Sequence, residues 1–155
     1  MHISASTEYA IHSVLYMAIH QDYPVILVSD VAKAQNIPAS YLAKVFRILA
    51  KNGVIRSYRG SKGGYSLSHR PERITVKDVV EAIEGTTPMF QPLGKRRGCG
   101  IEIPCIIQNV FRNAQESMLN ELERVNFQDL IDYARNNAKN MAWLMKNKPN
   151  SRESS

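Results

Sequence analysis

The sequence predicts a mainly α-helical fold with one small β-hairpin, and three observations carry that expectation. Two short segments with helical apolar spacing are joined across "QNIPA". An alternating stretch broken by "SKGG" follows them directly, and a long apolar stripe at three-to-four spacing marks the second half of the chain. With 155 residues, 44% of them apolar and 22% charged, the chain has the size and composition of one globular unit. It can bury a core without disulfides.

Residues 4–21, "SASTEYAIHSVLYMAIHQ", place Ala10, Ile11, Val14, Met17 and Ala18 on one helical face, with Ser4 or Ser6 as N-cap. Residues 28–37 read as a short helix opened by Ser29, with Val31, Ala32 and Ile37 as apolar contacts. Residues 38–53 form a stronger helix, striped by Leu42, Val45, Phe46, Leu49 and Ala50 and stopped by Gly53. This pair has the form of a helix-turn-helix. Residues 54–58 and 65–68 alternate like strands around a reversal at 61–64, a hairpin with lysine and arginine at its tip. A helix-turn-helix followed by a basic hairpin is the layout of a winged-helix DNA-binding domain, here residues 1–85. A helix over 75–85 completes it, with Thr75 and Asp78 as a capping-box pair.

Residues 86–104 are a loop rich in glycine and proline that carries a cysteine. Residues 105–125 form a long amphipathic helix whose stripe runs through Ile107, Val110, Phe111, Ala114, Met118, Leu122 and Val125, the spacing of a helix that packs along a partner helix. A last helix, opened by Asn126, extends to 145, so that 105–145 holds the expected dimerisation helix and a C-terminal helix. The polar residues 146–155 are expected to be disordered.

Charge points to a polyanion. The net charge is +6, and between residues 44 and 73 eight basic side chains stand against Glu72 alone, a local +7. In a helix-turn-helix the second helix enters the major groove, and Ser40, Tyr41, Lys44 and Arg47 lie opposite its apolar stripe. Their hydroxyls and cationic heads suit phosphates and base edges. The hairpin tip, Arg59, Gly60, Ser61 and Lys62, combines positive charge with backbone freedom and suits the narrow minor groove. A half-buried Tyr41 packing within its own domain is the competing reading for that ring.

"SYLAKVFRILAKNGVIRSYRGSKGGYSL" followed by "ITVKDVVEAIEG" resembles the bacterial winged-helix regulators that include the iron–sulfur regulator IscR, the nitric-oxide sensor NsrR and the cysteine-metabolism regulator CymR. The resemblance covers about residues 1–145. It implies a homodimer whose long helix crosses its mate and which binds an imperfectly palindromic double-stranded DNA operator.

The only two cysteines are Cys99 and Cys105, in "GKRRGCGIEIPC". Cluster-binding relatives usually carry three cysteines here, and the place of the first, near Pro92 or Leu93, has none. Glu8 and His12 are four residues apart and share one face of the first helix with Leu15 and Ile19, a row roughly 130–140° from the apolar stripe. The resemblance brings the start of this helix towards the cysteine loop of the other subunit. One redox-sensing branch holds a [2Fe–2S] cluster with Glu, His and two Cys, and Glu8, His12, Cys99 and Cys105 resemble that set. Imidazole in place of thiolate is sound ligand chemistry, as in Rieske centres. Cys105 at a helix start, with Lys95, Arg96 and Arg97 upstream, has surroundings that favour thiolate. Other readings stay open at this point: a [4Fe–4S] cluster, zinc on the same residues, a metal-free thiol switch, or a Glu8–His12 ion pair with incidental cysteines.

The expected function is therefore a homodimeric transcriptional repressor that senses redox state or reactive oxygen or nitrogen species. A metal-free thiol or small-ligand sensor, and an adaptor docking on an enzyme, are the alternatives. No motif of an enzyme is found, since "RGSKGGY" leads into a strand and not into a phosphate-cradling helix. The start of the chain lacks the pattern of a signal peptide, and no apolar run approaches the ~18 residues of a membrane span. The expected location is the cytoplasm, with reduced thiols and no membrane partner.

Overall fold

A computed structural model describes residues 3–88 and 106–150. Its element order is α1 (Ala5–Ile19), α2 (Val28–Gln35), α3 (Ala39–Lys51), β1 (Ile55–Tyr58), β2 (Gly64–Leu67), a 3-10 turn (Pro71–Arg73), α4 (Val76–Glu84), α5 (Ile106–Glu123), α6 (Phe127–Asn136) and α7 (Ala142–Lys146). This is the mainly helical fold with a small hairpin that the sequence predicts.

Helix α1 is the axis of the core. Ser4 caps it, its Oγ accepting from the Thr7 backbone, and α2, α3, α4, α6, α7 and β2 all pack against it. Ala10, Val14, Leu15, Tyr16, Met17 and Ala18 are buried, as are Thr7 and Ser13. The apolar spacing predicts a single buried face for α1, but Leu15, on the Glu8–His12 row, is buried too. The row is covered at its C-terminal end because α7 lies against the helix. Inside this packing Ser13 Oγ donates to the Tyr9 carbonyl at 2.7 Å and Gln35 Nε2 donates to Ser13 Oγ at 2.8 Å, while Gln35 Oε1 is buried without a partner among the described residues.

Helices α2 and α3 meet across Asn36, which closes α2 in the left-handed region at φ 55°. Ser29 does not open α2. The cap position is Leu27, without a side-chain bond, because the chain arrives extended from Ile26, which pairs with Tyr65 of β2. The hairpin thus gains a third, one-residue edge. Its register is Ile55↔Leu67, Arg56↔Ser66, Ser57↔Tyr65 and Tyr58↔Gly64. Residues 59–63 make the reversal. Gly60 has φ +97°, and a Cβ on Gly63 would stand 2.3 Å from the Tyr58 carbonyl oxygen. Phe46, fully buried on α3, meets Tyr65 edge-on at 5.0 Å, so α3 and the hairpin share one aromatic joint.

Two capping boxes stand side by side. Thr75 and Asp78 open α4, and Asn126 and Asp129 open α6. The backbones at these starts pair with each other, Val76 N to Val125 O at 3.0 Å and Phe127 N to Ile74 O at 2.9 Å. Helix α5 leads into the second of these starts and packs on α4. None of its residues is buried; Ile106 is 76% exposed, Ile107 55% and Val110 60%.

The last helix, expected to run unbroken to 145, divides. Asn137 folds its Nδ2 back onto the Tyr133 carbonyl at 3.0 Å and ends α6, and the chain turns before α7. The expected disorder of 146–155 does not extend to residues 147–150. The Tyr16 hydroxyl donates to the Asn147 carbonyl at 2.6 Å, and Asn150 donates to Asp30 through its backbone N at 3.3 Å and its Nδ2 at 2.7 Å. Residues 151–155 lie outside the described residues.

Two outcomes follow from this packing. Phe46→Ala removes a fully buried ring and the joint to Tyr65, and should cost about 3–5 kcal/mol in urea unfolding at fixed protein concentration. His20 is buried and its Nε2–H donates to the Leu144 carbonyl at 2.9 Å. Burial, aided by Lys148, holds its pKa below the ordinary value, against the opposing pull of the Leu144 carbonyl and Asp22. The unfolded chain therefore takes up this proton first as pH falls below about 6.5. Stability present above that pH should drain away as pH falls towards the folded-state value, and His20→Gln should flatten the slope in unfolding curves recorded between pH 7.5 and 5.5.

Candidate functional site

The DNA-facing candidates divide between α3 and the hairpin tip. On α3, Leu42, Val45, Phe46 and Leu49 are buried, which fixes the opposite face outward. Ser40, Lys44 and Arg47 are exposed, and Arg47 Nε reaches back to the Ala43 carbonyl at 3.4 Å. Ile48, 38% exposed, lies next to Arg47 and adds an apolar contact to that face that the sequence reading did not include. At the tip, Arg59, Gly60, Ser61 and Lys62 are all exposed. The turn that presents them is closed by Gly63 N donating to Gly60 O at 3.0 Å.

Tyr41 combines both readings that the sequence left open. It is 36% exposed on the outer face, yet its hydroxyl shares a 2.8 Å hydrogen bond with Ser6 Oγ. Its ring stands edge-on to Tyr9, 5.7 Å between centroids at 83°. Ser6 and Tyr9 belong to the first turns of α1. The outward face of α3 is thereby tied to the same end of α1 that carries Glu8.

Glu8 is exposed and His12 half-buried, one helical turn apart. They form no ion pair: among the described residues the ion pairs are Lys77–Glu123 at 3.2 Å and Arg124–Glu121 at 2.5 Å. The ring nitrogens of His12 have no hydrogen-bond partner among the described residues, and its ring meets Trp143 edge-on, 5.4 Å between centroids at 75°. Burial pulls the His12 pKa below its ordinary value, against the attraction of Glu8. The imidazole is therefore neutral near pH 7, the form in which a ring nitrogen can ligate a metal. Cys99 and Cys105, the other two members of the expected set, lie outside the described residues. Among the described residues no group of three or more His, Cys, Asp or Glu side chains converges on one point. The chemistry of the two visible donors, an exposed carboxylate and a neutral imidazole without a hydrogen bond, fits half of a mixed-ligand site.

Trp143 is absent from the sequence-derived set. The one available signal was a single tryptophan in an otherwise polar C-terminal segment. Nothing in periodicity could connect it to a helix 131 residues upstream. Nor is any helix among the described residues long and apolar enough to cross a membrane.

Comparison with known proteins agrees with this architecture. Residues 3–133 match the family model Rrf2, described as an iron-dependent transcriptional regulator, a match that stops short of α7. The HTH-type transcriptional regulator IscR of Yersinia enterocolitica is 35% identical over 141 residues, covering 86% of this chain and 85% of the relative. Among solved structures, CymR, the global cysteine regulator of B. subtilis, superposes with a TM-score of 0.68 at 22% identity, covering 86% of this chain and 98% of that one. T. potens IscR gives 0.66 at 24% identity, covering 86% and 88%. These two likenesses speak for the winged-helix fold. The family match, spanning most of the chain, speaks for more: this protein belongs to the Rrf2 family and is a transcriptional regulator, not an enzyme.

Proposed function

We propose that the chain acts as a homodimeric repressor whose grip on an imperfectly palindromic operator is set by a [2Fe–2S] cluster held by Glu8, His12, Cys99 and Cys105. The observation that carries this reading is the placement of Glu8 in the turns of α1 that hold Tyr41, with His12 one turn further along the same helix. Ser6 bonds the Tyr41 hydroxyl and Tyr9 meets its ring, so Glu8 stands in sequence between two residues that touch the helix expected to read DNA.

Each part of the chain has its own task in this scheme. The cluster, when bound, supplies a one-electron change of charge at a mixed carboxylate, imidazole and thiolate site. Glu8 and His12 bind from α1, and the neutral His12 ring needs no proton removed before it ligates. Cys99 and Cys105 supply the thiolates. Helix α1 is buried all round from Ser13 to Ala18, which holds its second half fixed, so a shift at its more open first turns passes to α3 through Ser6 and Tyr9. A tenfold change in operator affinity requires only about 1.4 kcal/mol of such coupling.

The dimer is supported by α5. Its Ile106, Ile107, Val110 and Phe111 are exposed along one three-to-four stripe, an apolar face with the spacing of a helix that packs on another. Two protomers would present two α3 helices and two hairpin tips to the two half-sites of a palindrome. Ser40, Tyr41, Lys44 and Arg47 would read or anchor in the major groove, and Arg59 to Lys62 in the adjacent minor groove.

Protein purified without oxygen should be red-brown, with about two irons and two sulfides per chain for a [2Fe–2S] centre. Glu8→Ala, His12→Ala, Cys99→Ala and Cys105→Ala should each lose or alter the visible spectrum. A colourless wild-type protein that also fails reconstitution would sink the cluster reading and leave a thiol or zinc site to be tested. On an operator obtained by selection from random DNA, the log of affinity should fall linearly with the log of salt concentration. The double variant Arg59→Ala/Lys62→Ala should bind more weakly and reduce that slope by about 1 for each phosphate contact removed. An unchanged slope would remove the hairpin tip from the interface.

A further inference from the structure

A ligating imidazole is usually oriented by a hydrogen bond from its second nitrogen, which fixes the tautomer and the direction of the lone pair. His12 has no such partner among the described residues. Its orienting contact there is the edge-to-face packing of Trp143, the single tryptophan of the chain.

Trp143 does not reach His12 by chance of a loose tail. It sits in α7, which the rest of the C-terminal segment fastens to α1 and α2. Leu144 is fully buried and its carbonyl accepts from His20. Asn147 donates from Nδ2 to the Trp143 carbonyl at 2.9 Å, while its own carbonyl accepts from Tyr16. Further on, Asn150 closes the strap on Asp30, which is itself buried in the first turn of α2. Tyr16 and His20 are one and two turns beyond His12 on the same helix, so the segment is registered along α1 by bonds on the side His12 faces. An indole held this way has little freedom to leave, and the imidazole beneath it has little freedom to turn.

We infer that Trp143 is a positioning residue for His12, and that the segment 141–150 is the strap that holds it there. The role deepens the reading of His12 as a cluster ligand and rests on it. Packing takes the place of the usual second-nitrogen hydrogen bond. An exposed helical histidine would sample several rotamers; this one is confined before any metal arrives, so less ordering is left for the binding step.

The test compares anaerobically reconstituted wild-type chain with Trp143→Ala and Trp143→Phe. Three quantities are read: the rate of iron loss to a chelator, the hyperfine coupling of 15N-labelled histidine in the reduced state, and the melting temperature as a check on folding. Trp143→Ala should lose iron about tenfold faster, the size of effect seen when a ligand's support is removed, and its histidine coupling should shift. Trp143→Phe, which retains an aromatic edge, should return both towards wild type. If Trp143→Ala does not fold, Trp143→Leu carries the comparison, with an apolar side chain filling more of the space and the ring edge removed. A folded variant that keeps the wild-type rate and coupling overturns the role. So does faster loss with an unchanged coupling, which would be general loosening of the tail. A wild-type chain that takes up no cluster overturns the cluster reading, and this role with it, before any variant is compared.

Discussion

Helix α1 is enclosed on nearly every side, and the rest of the molecule is arranged by that burial. Its fifteen residues include eight with almost no accessible surface, two of them the polar Thr7 and Ser13. A helix so enclosed pairs its polar groups internally: Ser13 and Gln35 bond each other and the Tyr9 carbonyl, with Gln35 Oε1 left over. Dense packing also makes the helix a stiff member: a load at one point is felt by every neighbour. Glu8 and His12 are placed at the one stretch where α1 remains partly open.

From that stretch three physical connections lead towards the helix-turn-helix. Ser6 and Tyr9 touch Tyr41 on α3. Gln35, at the end of α2, bonds to the Tyr9 carbonyl and to Ser13. The C-terminal strap runs the longer way round, from Trp143 over His12 to Asp30 at the start of α2. Thus α2 is held at both ends by groups anchored on α1, and α3 is held at its first turn. The hairpin follows α3 through Phe46 and Tyr65, and follows the α1–α2 connection through Ile26. No part of the expected DNA-facing surface is independent of α1.

Much of this was legible in the sequence, and for definite reasons. Capping boxes are local, so Thr75–Asp78 and the N-caps Ser4 and Asn126 can be read from a few residues. The stripe of α3 is unambiguous because its opposite face is charged. The basic hairpin follows from alternation broken by glycines. What stayed hidden depends on long-range packing. The row of Leu15 and Ile19 looks like any second face until α7 covers it. The division of α6 from α7 turns on Asn137 choosing the Tyr133 carbonyl over helix continuation, a local competition that composition does not decide. The bonds from Asn147 and Asn150 span more than 100 residues and carry no periodic signal. Tyr41 was legible as an exposed residue of α3, but its hydroxyl partner on α1 was not. The half of the candidate site on Cys99 and Cys105 was found by motif alone, and those residues lie outside the described ones.

The pairing of the α4 and α6 starts has a mechanical consequence. Helix α5 is a spar held at its C-terminal root by Val125, Asn126 and Phe127. Further along it is held by α4 and the residues just after it, through Lys77 on Glu123 and Gln115 Nε2 on the Thr87 carbonyl, so the arm that carries the apolar stripe runs from Gln115 to Ile106. Nine residue steps of α-helix measure about 14 Å. A tilt of about 5° of that arm moves the Ile106 end by about 1 Å, by simple leverage on that length. In the proposed dimer, an angular change at Ile74 and Thr75 would reach a mate on the apolar stripe as a displacement, and the mate's pull would return to that root as a turning force. The spar converts angle into distance in one direction and distance into torque in the other.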